Sequence, residues 1–375
     1  MLKRILPVKV PYLLRNDVKF RDLPGETKRK IVRFILFFNA LLILIIGFSL
    51  IKIHSLHTMQ QDFLAVNMKE DIKKLDDYRK HYRYKVNASV TILSQSLIKI
   101  KDETMPIIFA VKFEYLESSF RNRNPEIQLN NGTITEKKRE YRHVLNGLVE
   151  EQIIYRANIQ TRYTSLVYPL DKQMIPLTLS LSDDDTDDYA YLNVISLTDQ
   201  TLSQSLSKGR NYYEESVGVA QKVRQYSDSL NATTTSYFID NLCYLIYKHK
   251  NIYSYLKTIQ FIIFAMLVAI IALLINPQKG SAISGRISII GSSIFYLSAN
   301  IFQVNNQINS SSGITLMDII SVFAGLIIII CFLVTAVAIK LNDEDGYHVS
   351  KIYDLILFKF LIFYTALFLI LAYQL

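Results

Sequence analysis

Apolar residues along the chain gather into five runs, 34–51, 259–275, 287–304, 314–339 and 352–371, each long enough to cross a bilayer as a helix. A polar stretch of about two hundred residues separates the first run from the rest. The pattern predicts a membrane protein with an N-terminal anchor, one large water-exposed domain and four further membrane helices, of which 287–304 is the most polar. A cleavable signal peptide fits poorly, because the charged leader is too long and no A-x-A site follows the run; the anchor is therefore expected to be retained. Beyond it, Leu56, Met59, Phe63, Val66, Ile72 and Leu75 recur near helical spacing, so the helix should continue out of the membrane to about Tyr82. The signal then changes. Segments 85–97, 107–116, 156–167 and 174–181 are rich in β-branched and aromatic residues and read as strands, and 215–226 and 236–248 complete a mostly β domain, expected to be a sandwich. The implied plan is a leader over 1–33, an anchor over 34–51, a helical linker over 52–82, a β-sandwich over 83–251 and a four-helix membrane domain over 252–375.

Charge then fixes an orientation. The net charge is +9, but ten Lys and Arg residues lie in the first 33 positions against Asp17, Asp22 and Glu26, which reads as a cytoplasmic flank and not as a nucleic-acid surface. With the N-terminus inside, Lys279 and Arg286 bracket one inner turn, and Lys340, Lys351 and Lys359 flank a later inner loop. The outer turn 303–315 has neither Lys nor Arg. The expected location is the cell membrane, multi-pass, with the β domain and the C-terminus outside. Half of the residues are hydrophobic, with 12 Gly, 8 Pro and a mean hydropathy of +0.19, which excludes a disordered, collagen-like or disulfide-stapled chain. Cys243 and Cys331 are too distant to form a disulfide framework.

No G-x-S-x-G, P-loop or H-E-x-x-H occurs and the six His are scattered, so no enzyme and no resident cofactor is expected. A membrane enzyme is further disfavoured because no intramembrane acid or His pair stands out, and Asp318 sits at a helix start where it complements the dipole. Asp183, Asp184, Asp185, Asp187 and Asp188 leave two readings open, a Ca²⁺ site with oxygen ligands and a solvated turn; the Gly and the terminal Glu of an EF-hand loop are missing.

Tyr168, Pro169, Leu170, Asp171, Lys172 and Gln173, lying between two strands, resemble the F-P-F-D-x-Q loop of the pentameric ligand-gated ion channels, the Cys-loop receptor superfamily. The run 248–256, KHKNIYSYL, resembles the R-N-P-x-Y-Y-L junction of that family, with Lys250 at the arginine and Ile252 at the proline. Ser288, Ser292, Phe295, Ala299, Phe302 and Asn306 share one helix face that is similar to the pore helix of prokaryotic members. Ser oxygens replace part of an ion's hydration shell, and a ring of Phe closes a pore by dewetting. The alternative is that Gly291, Ser292, Ser293 and Ser298 are small residues that let helices pack closely. Arg286, that face, Asn305 and Asn306, and then Thr315-Leu316-Met317-Asp318 follow the family's order, and the resemblance covers roughly 83–375.

The resemblance implies a homopentamer in a lipid membrane that passes inorganic ions. Its inner mouth would lie at Gly285 and Arg286, and its coupling loop would be Tyr168–Gln173 with Lys250. Gly285 stands where cation-selective relatives carry Glu; Arg286 either favours anions or anchors in the inner loop. A small-molecule or ion ligand is expected beneath the 227–235 loop, with Tyr226 and Tyr237 flanking it and Tyr189 and Tyr191 as further candidates for holding an amine. The N-terminal anchor is not part of the family plan. A non-conducting sensor or interaction protein on the same architecture is the alternative function.

Overall fold

A computed structural model describes residues 20, 23–68, 72–80, 82–96, 104–120, 124–161, 163–182, 190–199, 212–227, 235–249, 252–275, 280–306, 313–345 and 347–375. The chain divides into two units. The first takes in residues 1–58, 166–169 and 251–375, and the second 59–165 and 170–250.

In the first unit, α1 (Gly25–Met68) contributes its residues up to 58, followed by α3 (Ile252–Ala272), α4 (Gly280–Asn305), α5 (Leu316–Asp345) and α6 (Tyr347–Gln374). All five are long and apolar enough to cross a membrane, and α4 is the least apolar of them. The sequence placed the start of α5 correctly for a simpler reason than the one acting there. Asp318 does sit in its first turn, but it also accepts from the Thr315 backbone N–H (2.8 Å), while the Thr315 hydroxyl accepts from the Asp318 N–H (3.2 Å). This is a reciprocal cap that satisfies two orphan donors. Side chains join α6 to two of the other helices: Phe323 of α5 stacks on Phe368 at 3.8 Å, and the Tyr255 hydroxyl of α3 donates to the Leu369 carbonyl (3.3 Å).

The second unit holds, among the described residues, the C-terminal part of α1 from Met59 on, the short α2 (Ile72–Arg79) and nine strands. These are β1 (Tyr84–Gln95), β2 (Thr104–Leu116), β3 (Ile127–Leu129), β4 (Gly132–Leu145), β5 (Leu148–Gln160), β6 (Lys172–Leu181), β7 (Ala190–Asp199), β8 (Tyr212–Ser227) and β9 (Thr235–His249). One sheet runs β4-β5-β2-β1-β7, the other β3-β6-β9-β8. Alternating residues of both, among them Val86, Phe109, Ile153, Leu177 and Leu245, meet in one buried core. Asn241 of β9 ties the layers: its side chain donates to the Leu192 carbonyl (2.9 Å) and accepts from the Val194 N–H (3.1 Å), both on β7.

Four strands differ from the expectation: β3, β4 and β7 fall where no strand was expected, and β5 is placed differently. The third expected strand, 156–167, is the end of β5, which begins at Leu148 and stops at Gln160. Its partner β4 was not anticipated, because no residue of this edge strand is buried and no alternation can show. The readable signal was the turn, where Asn146 (φ 51°) and Gly147 (φ 79°) adopt the left-handed pair that a two-residue hairpin requires. At the other end of β4, a methyl on Gly132 would fall on the Asn158 carbonyl oxygen and the Ile159 Cα. Gly132→Ala is expected to lower the stability of this unit by about 1–3 kcal/mol, read by urea unfolding, because backbone atoms cannot yield as a side chain would.

Candidate functional site

The face of α4 that packs into the first unit is set by Arg286, Ile290, Ser293, Asn300 and Val304, all buried at helical spacing. The opposite face carries the expected stripe. Phe295 and Phe302 are 78% and 71% exposed, Ser288, Ala299 and Asn306 are also exposed, and Ser292 is half-buried. The hydroxyls of Ser292 and Ser293 donate to the carbonyls three residues back, at 2.7 and 2.5 Å. Such bonds satisfy them within the helix. The small residues therefore divide: Ser293 faces the packed side, whereas Ser288 and Ser298 point away from it.

Gly285 is half-buried with open space beside it. Arg286 belongs to neither of the roles expected for it. Its guanidinium is fully buried and forks onto Asp354 of α6, Nη1 to Oδ2 at 2.8 Å and Nη2 to Oδ1 at 3.0 Å. Nε donates to the Thr335 hydroxyl of α5 (2.9 Å), which donates onward to the Cys331 carbonyl (2.8 Å), and Nη1 also reaches the Ile275 carbonyl at 3.4 Å. Planarity and five donors suit arginine to such a bidentate junction. The pair corrects one expectation, since Arg286 is turned into the helices, and it places an acid, Asp354, inside a membrane-length helix. Asp354 was legible as the single acid within the 352–371 run, where an ionised group is tolerated only with a partner.

The loop between β5 and β6 is closed by one side chain. Gln173 is buried; its Oε1 accepts from the Thr164 N–H (3.0 Å), and its Nε2 donates to the Thr164 carbonyl (2.5 Å) and to the buried Asp171 carboxylate. One amide thus pairs both backbone groups of Thr164, as a neighbouring strand would. Lys172 lies opposite Lys248 in the β6–β9 register. Residues 166–169, with a cis peptide between Tyr168 and Pro169, belong to the helical unit, where the Leu166 carbonyl accepts from the Leu316 N–H at the start of α5 (2.7 Å). Tyr168 and Pro169 are buried and Leu170 is half-buried. Lys250 lies outside the described residues.

Of the ligand candidates, Tyr191 is half-buried on β7 with its ring 5.4 Å from that of Tyr82, and burial raises both hydroxyls above the ordinary tyrosine value. Tyr226 and Tyr237 lie at the paired ends of β8 and β9, one register step apart. Tyr189 and the acidic residues Asp183, Asp184, Asp185, Asp187 and Asp188 lie outside the described residues. Among the described residues no three His, Cys, Asp or Glu side chains gather to hold a metal. Burial pushes the Cys243 thiol up to about 12, which keeps it protonated and a poor nucleophile. A cleft of about 820 Å³ that sequence reading missed opens beside β3, β4 and β5, lined by Glu126, Ile134, Lys137, Arg139 and Tyr155. Its charges are committed to one another or to neighbours: Lys137 to Glu126, Arg139 to the buried Glu151 (3.2 Å) and Glu136 to Arg156 (3.0 Å).

No protein-family model and no curated protein sequence matches the chain.

Proposed function

We propose that the chain is a subunit of an ion channel of the pentameric ligand-gated type, with the β domain as an extracytoplasmic ligand-binding sandwich, the four C-terminal helices as its membrane domain and the N-terminus cytoplasmic. The carrying observation is the division of α4: the least apolar membrane-length helix packs by one face and leaves Ser288, Ser298 and Asn306 on the other. A single copy in lipid would set these polar groups against hydrocarbon. Around an axis of several copies they would meet water, with Phe295 and Phe302 as successive apolar rings. Because the Arg286 charge is compensated by Asp354, the stripe carries no formal charge, so conduction in this reading depends on hydroxyl oxygens and dewetting. The bond from Leu316 to the Leu166 carbonyl supports a role for 166–173 in coupling.

The test is current. Protein reconstituted in planar bilayers should conduct, and Phe295→Ala should raise spontaneous opening at least several-fold, since removing one apolar ring lowers the dewetting barrier. A chain that is monomeric in mild detergent and passes neither cations nor anions in wild-type or Phe295→Ala form sinks the proposal.

A further inference from the structure

The two sheets of the β domain are joined differently at their two edges. Where β7 faces β8, Gln221 of β8 donates to Asn193 of β7 (3.3 Å) and to Asn241 of β9 (2.8 Å), which ties the layers together. At the opposite edge β4 runs for 14 residues, whereas β3, the end strand of the facing sheet, has three. The inner face of β4 is therefore left largely uncovered. In the β4–β5 register Ile134, Lys137, Arg139 and Arg142 stand opposite Ala157, Tyr155, Ile153 and Glu151, all four of them buried. Residues paired across a ladder share one side of the sheet, so these β4 side chains are on the core side, and yet none is buried. Three of them, Ile134, Lys137 and Arg139, line the cleft of about 820 Å³, a volume within the usual range of small-molecule sites.

Charge on a core-side wall has to be compensated, and around this cleft it is, with one exception. Lys137 pairs with Glu126, and Glu136 pairs with Arg156 at 3.0 Å. Arg139 sets only Nε beside the buried Glu151, at 3.2 Å; among the described residues its Nη1 and Nη2 have no partner, and the side chain is 46% exposed. Next to this open fork, Ile127, Ile153 and Tyr155 are buried and give the cleft an apolar floor. We propose that the cleft binds a small organic monocarboxylate with an apolar body, its two oxygens on Nη1 and Nη2 of Arg139 and its body against Ile127, Ile134 and Tyr155. A planar fork with two open donors matches a carboxylate in shape as well as in charge. One open cation calls for one negative charge, and Glu126, Glu136 and Glu151 nearby disfavour a dianion. Each of these acids already has a cation beside it, so an amine would find no open charge. The site lies at the edge of the domain opposite to Tyr191 on β7 and Tyr226 on β8, and it stands independently of the channel reading.

Calorimetric titration of the full chain in detergent tests this, with hydrocinnamate as the probe. Phenethylamine, which has the same ring and the opposite charge, and inorganic phosphate are the competitors. Hydrocinnamate should bind once per chain and about tenfold or more tighter than either of them. Arg139→Gln should weaken it by about tenfold or more, the loss that a charge-assisted pair of bonds implies. Because that change also removes the cation beside the buried Glu151, Ile134→Trp serves as a second variant: it fills the cleft without touching an ion pair, and it should abolish binding. Lys138→Gln, on the outer face of β4 opposite Ile154, should leave the affinity unchanged. No binding of hydrocinnamate up to about 10 mM overturns the proposal. So does binding that survives both Arg139→Gln and Ile134→Trp, that Lys138→Gln weakens as much as Arg139→Gln does, or that phenethylamine or phosphate equals. Bilayer currents bear on the other reading: a chain that binds the probe as described and passes no current loses the channel and keeps the site.

Discussion

Asp354→Ala is expected to be the most damaging single change in the helical unit, lowering its stability by about 3–5 kcal/mol, because it removes the carboxylate that the buried Arg286 guanidinium forks onto. Both groups are fully buried, and Arg286 also donates to the Thr335 hydroxyl and the Ile275 carbonyl. Asp354→Asn should fall between, since it can still accept a hydrogen bond but cannot neutralise. Replacing both partners, Arg286→Met with Asp354→Leu, should recover most of the loss, because burying the pair already carries a desolvation cost that apolar side chains do not. The chain has no Trp, so thermal unfolding in detergent is best followed by far-ultraviolet circular dichroism. A double variant no more stable than Asp354→Ala would mean that the pair acts through shape and not through charge compensation.

Gln173→Ala is expected to open the 164–173 loop while leaving the core of the β domain folded. The substitution strips partners from the N–H and the carbonyl of Thr164 and one from the buried Asp171 carboxylate. Leaving buried polar groups unmet costs about 1–3 kcal/mol each, so a local loss of roughly 2–4 kcal/mol follows, since the loop can relax toward water. The expected readout is limited proteolysis that cuts near 166–170 in the variant and not in the parent, with an unchanged far-ultraviolet spectrum. Gln173→Glu should be nearly as harmful: the carboxylate can accept from the Thr164 N–H but would face the Thr164 carbonyl and Asp171 with negative charge. Equal cleavage of parent and variant would show that the loop is held from elsewhere.

How much of this was legible follows from what each element must hide. The membrane-length helices announce themselves, because hydrocarbon admits almost nothing else along α3, α5 and α6. β1 and β2 were visible for a related reason: buried and less buried residues alternate along them. β4 was hidden because an edge strand open on both faces has no inside to encode. α1 was expected to run from 34 to about Tyr82; it runs from Gly25 to Met68, with α2 a separate helix, and its buried face is rotated from the expected one. Apolar spacing favoured Met59 and Phe63, whereas Gln60 is buried because two acceptors on distant parts of the chain wait for its amide.

The same division runs through the candidate site. Periodicity alone selects the stripe from Ser288 to Asn306, because side chains that share a helix face are a local property. Whether Arg286 lines that face or leaves it is not local. Its partner lies 68 residues away, and only packing of α4 against α6 brings a guanidinium and a carboxylate to 2.8 Å. The sequence by itself determined which segments are membrane-length helices, where most strands lie and which α4 residues share a face, since each rests on neighbours a few positions apart. Only the tertiary structure decided the fate of the buried polar groups, Arg286 with Asp354, Gln173 with Thr164 and Gln60 with both ends of its loop. A buried donor is defined by the acceptor it meets, and that acceptor is supplied by another part of the fold.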